Sequence, residues 1–345
     1  VDPDEMFGDY TYHSSVSNTF KEHCKSLAVN LKENYYPKMG SNRPPCVLDI
    51  ASNDGCLLEQ FREVGFCVTG VEPAENLVED SLGKFIPTIN GFWSQSLANK
   101  FTGEFHFVTA TNVLAHVDKV RDFICAVGKV LHPKGVFVVE VPYVANLLKE
   151  SQFDTIYHEH LSYFSVKSLT IALRSCGIRP FHAEIVPIHG GSIRMYSSLY
   201  SYDITKELGE LEEKEHYENL HMAESYMGLG ERARKIRDDL IGLLERLREE
   251  RKVVIGFGAP AKGVMLMNYC GLTTDLVDYI VDDTEDKQWR FIPGCGIPIY
   301  PRDKIGERIP DYIILFPWNF ATELIDKTKY IGAKYIVPIP EVKVI

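Results

Sequence analysis

The chain has 345 residues, of which 45% are apolar and 25% charged. That is globular composition, and it excludes a mostly disordered, collagen-like or small disulfide-scaffold protein. With 37 Lys and Arg against 48 Asp and Glu, the formal charge is −11, which argues against general nucleic-acid affinity because phosphate binding is driven by clustered cations.

Residues 1–16 are rich in aromatic and hydroxyl side chains, begin acidic, and are no signal peptide. Phe20, Cys24, Leu27, Leu31 and Tyr35, three and four apart, predict a helix over 17–36. From 46 the pattern turns α/β. Strands are expected over 47–51, 67–71, 105–110 and 136–141, with helices over 57–64, 75–82 and 120–131 between them. This alternation predicts a doubly wound, Rossmann-like parallel sheet. Strands over 178–186 and 192–198 flank His189-Gly190-Gly191, and so short a connection predicts antiparallel pairing. Residues 204–250 are dense in Glu, Lys and Arg, with one apolar face of Leu229, Ala233, Ile236, Leu240, Leu244 and Leu247. They predict a solvated linker helix rather than a dimer contact. A second α/β unit follows over 251–345. The expected organisation is an N-terminal segment 1–40, a nucleoside-binding domain 41–203, the linker helix 204–250 and a Rossmann-like domain 251–345.

The eight cysteines, Cys24, Cys46, Cys56, Cys67, Cys125, Cys176, Cys270 and Cys295, include no C-x-x-C pair. They read as reduced core thiols in a cytoplasmic compartment, with no metal site. The longest apolar runs, 136–139 and 313–316, are too short to span a bilayer, so no membrane association is expected.

Three constellations carry chemistry. Asp49-Ile50-Ala51-Ser52-Asn53-Asp54-Gly55 follows the first strand and opens a helix, where doubly wound sheets bind ligands. Gly55 lets the backbone bend closely around a ligand. Glu72 ends the second strand, 23 residues after Asp49, and suits a grip on ribose hydroxyls. Ala110-Thr111-Asn112 ends the strand over 105–110. G-x-G-x-x-G is absent here, which favours a compact nucleoside such as S-adenosylmethionine over a dinucleotide. The second constellation is Tyr157-His158-Glu159-His160, whose imidazoles suit proton transfer, with a phenol as donor and a carboxylate to orient a ring. H-x-H can bind zinc on a strand, but no third ligand is evident and H-E-x-x-H is missing. The third is Gly256-Phe257-Gly258-Ala259-Pro260-Ala261-Lys262-Gly263, a strand, Gly-rich turn and helix that can cradle phosphates, with Asp282 closing the next strand. Its literal reading is a dinucleotide site; its modest one is a site for a nucleotide-diphosphate handle.

At these motifs the sequence resembles the S-adenosylmethionine-dependent C-methyltransferases of nucleotide-linked 4-keto-deoxysugars. The matching stretches run in family order: 9–17, 49–58, 109–117 (Thr-Ala-Thr-Asn-Val-Leu-Ala-His-Val), 140–143, 157–165, 189–196 and 256–263. The resemblance implies that Tyr157 and His160 carry the proton chemistry, with Glu159, His158 and Tyr12 close by. It further implies a cofactor site of Asp49, Ala51, Asn53, Asp54, Gly55, Glu72, Asn112 and His116. The sugar nucleotide would meet Tyr10, His189, Gly258, Lys262 and Asp282. His160 would remove the proton at C3 beside the 4-keto group, His158 or Tyr12 would stabilise the enolate oxygen, and the carbanion would take the sulfonium methyl. The family begins with a small zinc-binding domain of four cysteines. This chain starts just past where that module would end, so zinc is expected of the module and of no site in this chain. A monomer or weak homodimer is expected. The competing readings are an NAD(P)-dependent oxidoreductase built on the Gly-rich unit and a non-catalytic nucleotide-sugar-binding protein.

Overall fold

The computed structural model describes residues 2–16, 18–101, 105–188 and 190–345. The chain divides into two compact units, Val1–Val144 with Glu159–His221, and Ala145–His158 with Met222–Ile345. In the first unit the strands are β1 (Cys46–Ile50), β2 (Cys67–Glu72), β3 (Thr88–Asn90), β4 (Phe105–Thr111), β5 (Leu131–Pro142), β6 (Arg179–Val186) and β7 (Ser192–Ser198). Among the described residues they form one sheet in the order β3-β2-β1-β4-β5-β7-β6. The first five in that order are parallel, while β7 runs antiparallel to both β5 and β6, as the short 186–192 connection predicts. Continuous apolar runs such as Val136-Phe137-Val138-Val139 are fully buried, as strands covered on both faces must be. The strand order reverses at β1, which places the ligand crevice of such a sheet at the carboxyl ends of β1 and β4.

The periodicity that begins at Phe20 forms the helix Asn18–Asn30, which continues through the wide turn Leu31–Tyr35 and the short helix Tyr36–Met39. Its face of Phe20, Cys24, Leu27 and Ala28 shares one core with Leu57, Leu58 and Phe61 of the helix Cys56–Glu63. A buried ion cluster ties the same helix to the sheet. Arg194 Nε donates to Glu140 Oε1 at 2.5 Å, and His23 Nε2 lies 2.9 Å from Glu140 Oε2. Burial pushes the Glu140 carboxyl pKa up, but the His23 hydrogen bond and the Arg194 charge outweigh it and hold it below the usual range.

Two expectations are corrected. The cysteines are not all reduced core thiols: Cys125 and Cys176, 51 residues apart, form a disulfide, and Cys67 is exposed. Their partnership depends on how the helices Val120–Val130 and Val166–Arg174 pack, which spacing does not encode. Nor is 204–250 a linker helix. The helix Lys206–Tyr217 belongs to the first unit and the helix Glu224–Glu249 to the second. Ala233, Ile236, Leu240, Leu244 and Leu247 are buried in the second unit's core with Leu266, Met267 and Ile280. One apolar stripe is enough to bury a helix whose other faces are charged.

The second unit's strands are β8 (Val254–Phe257), β9 (Ile280–Val281), β10 (Ile299–Tyr300), β11 (Tyr312–Leu315), β12 (Lys334–Val337) and β13 (Lys343–Val344). Their order is β10-β9-β8-β11-β12-β13, parallel except for β13. Here the order reverses at β8. Among the described residues no helix is long and apolar enough to cross a membrane.

Candidate active site

At the end of β1, Asp49 is 2% exposed and its Oδ1 accepts from Thr109 Oγ1 at 2.6 Å. Burial pushes its carboxyl pKa to about 7; the Thr109 bond opposes this, and the charges of Glu72 and Glu140 add to it. Glu72, at the end of β2, takes a main-chain N–H on each oxygen: Asn53 on Oε2 at 2.8 Å and Ala74 on Oε1 at 3.0 Å. Burial raises its pKa against those two bonds. Ala51, Asn53 and Asn112 adopt positive φ of 57°, 52° and 57°. Non-glycine residues rarely hold that conformation, and such strain clusters at functional sites. Gly55 has φ +77°, and a Cβ there would meet Ile86 Cδ1 at 2.7 Å.

Three buried polar atoms in the turns after β1 and β4 have no protein partner: Ser52 Oγ, Asp54 Oδ1 and Asn112 Oδ1. Each such atom costs roughly 1–3 kcal/mol unless something bonds it. Together with the remaining lone pairs of Glu72 they form an acceptor-rich, negatively charged set. Ribose hydroxyls and a sulfonium cation fit it, so the residues present suit S-adenosylmethionine.

The N-terminal segment is latched onto this set. Tyr10 N–H donates to Asn76 Oδ1 at 3.1 Å and Asn76 Nδ2 to Tyr10 O at 2.9 Å. Ser14 N–H reaches Asn53 Oδ1 at 2.9 Å, Asn53 Nδ2 reaches Tyr12 O at 2.9 Å, and Ser15 N–H reaches Asp54 Oδ2 at 3.2 Å. Asn53 and Asp54 therefore hold the N-terminal segment, and of the two only Asp54 keeps a buried oxygen without a partner. Lys84 Nζ lies 3.3 Å from Asp54 Oδ2. The Tyr12 ring is half exposed, while its hydroxyl pKa is raised by burial first and then by Cys56, Asp54 and Cys24.

The boundary between the units falls within the second constellation, between His158 and Glu159. In the first unit, the N–H groups of Leu161 and Ser162 both donate to Ala115 O, at 2.8 and 3.1 Å. That brackets the His160 ring against His116, centroids 5.0 Å apart, with Tyr163 edge-on at 6.2 Å. Phe7 stacks on His116 at 5.7 Å. The His116 pKa falls to about 3, through burial first and the neighbouring His160 second, so its imidazole is neutral. His116, expected at the cofactor, contacts the candidate base. Tyr10 Oη donates to Glu159 Oε2 at 3.2 Å, and burial raises the Glu159 carboxyl pKa against that bond. In the second unit Tyr157 is half-buried and His158 exposed. His189 lies outside the described residues.

In the second unit, Ala259 N–H donates to Asp282 Oδ2 at 2.6 Å and Thr284 N–H to Asp282 Oδ1 at 2.8 Å. Lys262 Nζ stands 4.8 Å from the Trp318 ring centre and donates to Asn319 Oδ1. Burial lowers the Lys262 pKa to about 8, and the Asp154 charge opposes this. A Cβ on Gly258 (φ +83°) would meet Pro317 Cγ at 2.4 Å, and one on Gly256 would meet Ile280 Cδ1 at 2.4 Å. Tight packing thus accounts for these glycines without a dinucleotide. Sequence reasoning missed Ser52 as an unpartnered group and also missed Asn76, Thr109, Asp154 and Trp318. Asn76, Asp154 and Trp318 are single residues outside the motifs, while Ser52 and Thr109 lie in stretches singled out for other residues. Among the described residues no group of three or more His, Cys, Asp or Glu could hold a metal ion.

The seven-stranded order, the acid ending β2 and the strained turn after β1 are those of a nucleoside-binding α/β enzyme. Residues 20–182 match the methyltransferase domain family, and residues 187–340 match the C-methyltransferase C-terminal domain family. The class is therefore S-adenosylmethionine-dependent methyltransferase, which displaces the oxidoreductase reading. More narrowly, the chain belongs to the C-methyltransferase family. It is 33% identical over 353 residues to the C-methyltransferase NovU of Streptomyces niveus, across 100% of this chain and 83% of that protein. It is also similar to two solved structures. One is an S-adenosylmethionine-dependent methyltransferase from Clostridium acetobutylicum (12% identity, 54% of this chain and 94% of that one, TM-score 0.41). The other is the magnesium protoporphyrin IX methyltransferase of Synechocystis with bound S-adenosylhomocysteine (12%, 52% and 83%, TM-score 0.40). Family membership rests on the sequence matches.

Proposed function

We propose that the protein methylates C3 of a nucleotide-diphosphate-linked 4-keto-deoxysugar, by way of an enolate formed by His160. The observation that carries this reading is the main-chain bracket at Ala115, which sets His160 beside a neutral His116. A carbon nucleophile needs a C–H acidified by an adjacent carbonyl and a base matched to neutral pH, and imidazole is such a base. When bound, S-adenosylmethionine supplies a methyl group on a sulfonium leaving group. Glu72, Asp54, Ser52 and Asn112 would hold it. His160 takes the C3 proton. Because His116 stays uncharged, it does not repel the imidazolium that forms. Tyr157, three residues before His160, donates to the enolate oxygen, and Tyr12 is the further donor. Glu159 with Tyr10 borders the base. In the second unit Lys262 and the turn at Gly258 are the part that meets the diphosphate handle, and Asp282 stands where an acid would meet its ribose.

The test is proton exchange without methyl transfer. A 4-keto-deoxysugar nucleotide, mixed in D2O with the protein and S-adenosylhomocysteine, should lose its C3 proton signal in the NMR spectrum. His160→Ala should abolish that loss. A C3 signal that survives incubation with wild-type protein contradicts the reading.

A further inference from the structure

One fully buried carboxylate takes no part in the chemistry above. Asp154 is 0% exposed and sits in the short turn Phe153–Thr155, three residues before Tyr157. Burying a carboxylate is expensive unless it is bonded. Its Oδ2 accepts from Trp318 Nε1 at 2.6 Å, and its Oδ1 is buried with no partner. Burial pushes the Asp154 pKa to about 6, while the Lys262 charge and the Trp318 bond pull it down.

The surroundings show what this costly group holds. Phe153 is 3% exposed in the second unit's core, its ring 5.2 Å from that of Tyr269. Arg232 donates to Ser151 Oγ at 2.9 Å and to Leu148 O at 2.7 Å. Trp318 follows β11, and Lys262 lies in the helix that follows β8, so Asp154 meets the ends of the two strands flanking that sheet's reversal. The chain before Tyr157 is gripped at three points within one unit, and of these three the Asp154–Trp318 hydrogen bond lies nearest to Tyr157 in sequence. An apolar residue would fill the volume without fixing an orientation.

We propose that Asp154 is a positioning residue, which through Trp318 fixes the segment 154–158 and thereby the place of the Tyr157 phenol. The consequence for turnover rests on the role proposed for Tyr157; the anchoring does not. Three variants separate the possibilities. Trp318→Phe keeps the ring and removes the donor. Asp154→Leu keeps the volume and removes the acceptor. Asp154→Asn keeps an acceptor oxygen. Each is read by kcat, by KM for both substrates, and by hydrogen exchange of the amides at 155–158.

Trp318→Phe and Asp154→Leu should lower kcat by about 100-fold, the size of effect expected from a misplacement of roughly 1 Å. KM for S-adenosylmethionine should stay unchanged, and exchange at 155–158 should accelerate about tenfold. Asp154→Asn should restore both readouts to near the wild-type values. If Asp154→Leu does not fold, Trp318→Phe carries the test. Wild-type exchange in Trp318→Phe overturns the proposal, whereas faster exchange with unchanged kcat upholds the anchoring and overturns the role proposed for Tyr157. An Asp154→Asn variant as impaired as the Leu variant also overturns the proposal, because charge rather than bond geometry would then matter. If wild-type protein methylates no 4-keto-sugar, the proposed function fails, and the exchange rates alone decide whether Asp154 anchors the segment.

Discussion

In both sheets two main-chain N–H groups clasp one carboxylate at the strand-order reversal. After β1 and β2, Asn53 and Ala74 bind the two oxygens of Glu72; after β8 and β9, Ala259 and Thr284 bind the two oxygens of Asp282. Their surroundings then differ. Around Glu72, Ser52, Asp54 and Asn112 leave buried polar atoms unpartnered, and three non-glycine residues hold left-handed backbones. Around Asp282, Pro317 closes on Gly258, and Lys262 is occupied by Trp318 and Asn319. The acid at the end of the second strand is therefore a turn-holder first. Unmatched polar atoms and local strain are what single out the Glu72 end for the cofactor.

Several variants break or sharpen that contrast. The largest effect is expected in the first unit's chemistry. His160→Ala should lower kcat by about 10²–10⁴-fold. His158→Ala, at an exposed position two residues earlier, should change it far less, and steady-state kinetics of the pair decide between them. Next, Leu240→Ala tests whether the helix Glu224–Glu249 is core to the second unit. Denaturant unfolding should show a loss of about 2–5 kcal/mol, where a solvated linker would lose under about 0.5 kcal/mol.

Glu72→Ala should weaken S-adenosylmethionine binding in calorimetry by roughly 10- to 100-fold, since a hydrogen bond to a charged group contributes about 1.5–3 kcal/mol. Asp282→Ala should leave that affinity unchanged. Equal losses would mean that both sheets hold the cofactor nucleoside. The smallest effect concerns Asp49. Its carboxyl is raised from 3.8 to about 7 in the folded chain, so the folded state keeps a proton that the unfolded state releases. Its contribution is complete below pH 3.8 and is lost as pH rises through about 7. Asp49→Asn should therefore raise Tm relative to wild type by a few degrees more at pH 8 than at pH 5. A difference that does not vary with pH contradicts the buried-acid account.

The parallel strands and their acidic ends were legible because apolar runs bounded by Gly, Pro and Asp have few other uses. β3 was not legible, since Thr88-Ile89-Asn90 is short and largely exposed. The helix Glu224–Glu249 was misread because its charges outnumber the five positions that bury it. The Tyr-His-Glu-His cluster was visible, but the pairing of His160 with His116 was not. It depends on the Ala115 carbonyl receiving two N–H groups from a segment more than 40 residues away, and no local pattern announces such a bond. Asp154 is a lone acid whose meaning comes entirely from Trp318.

Carbon methylation by a histidine base is tested most directly by isotope transfer. Protein, a 4-keto-deoxysugar nucleotide and S-adenosylmethionine carrying a ¹³C-methyl group are incubated and the product is read by NMR. The label should appear bonded to the carbon next to the carbonyl and should be absent with His160→Ala. Label on oxygen or nitrogen, or full transfer by the His160→Ala protein, would contradict the account.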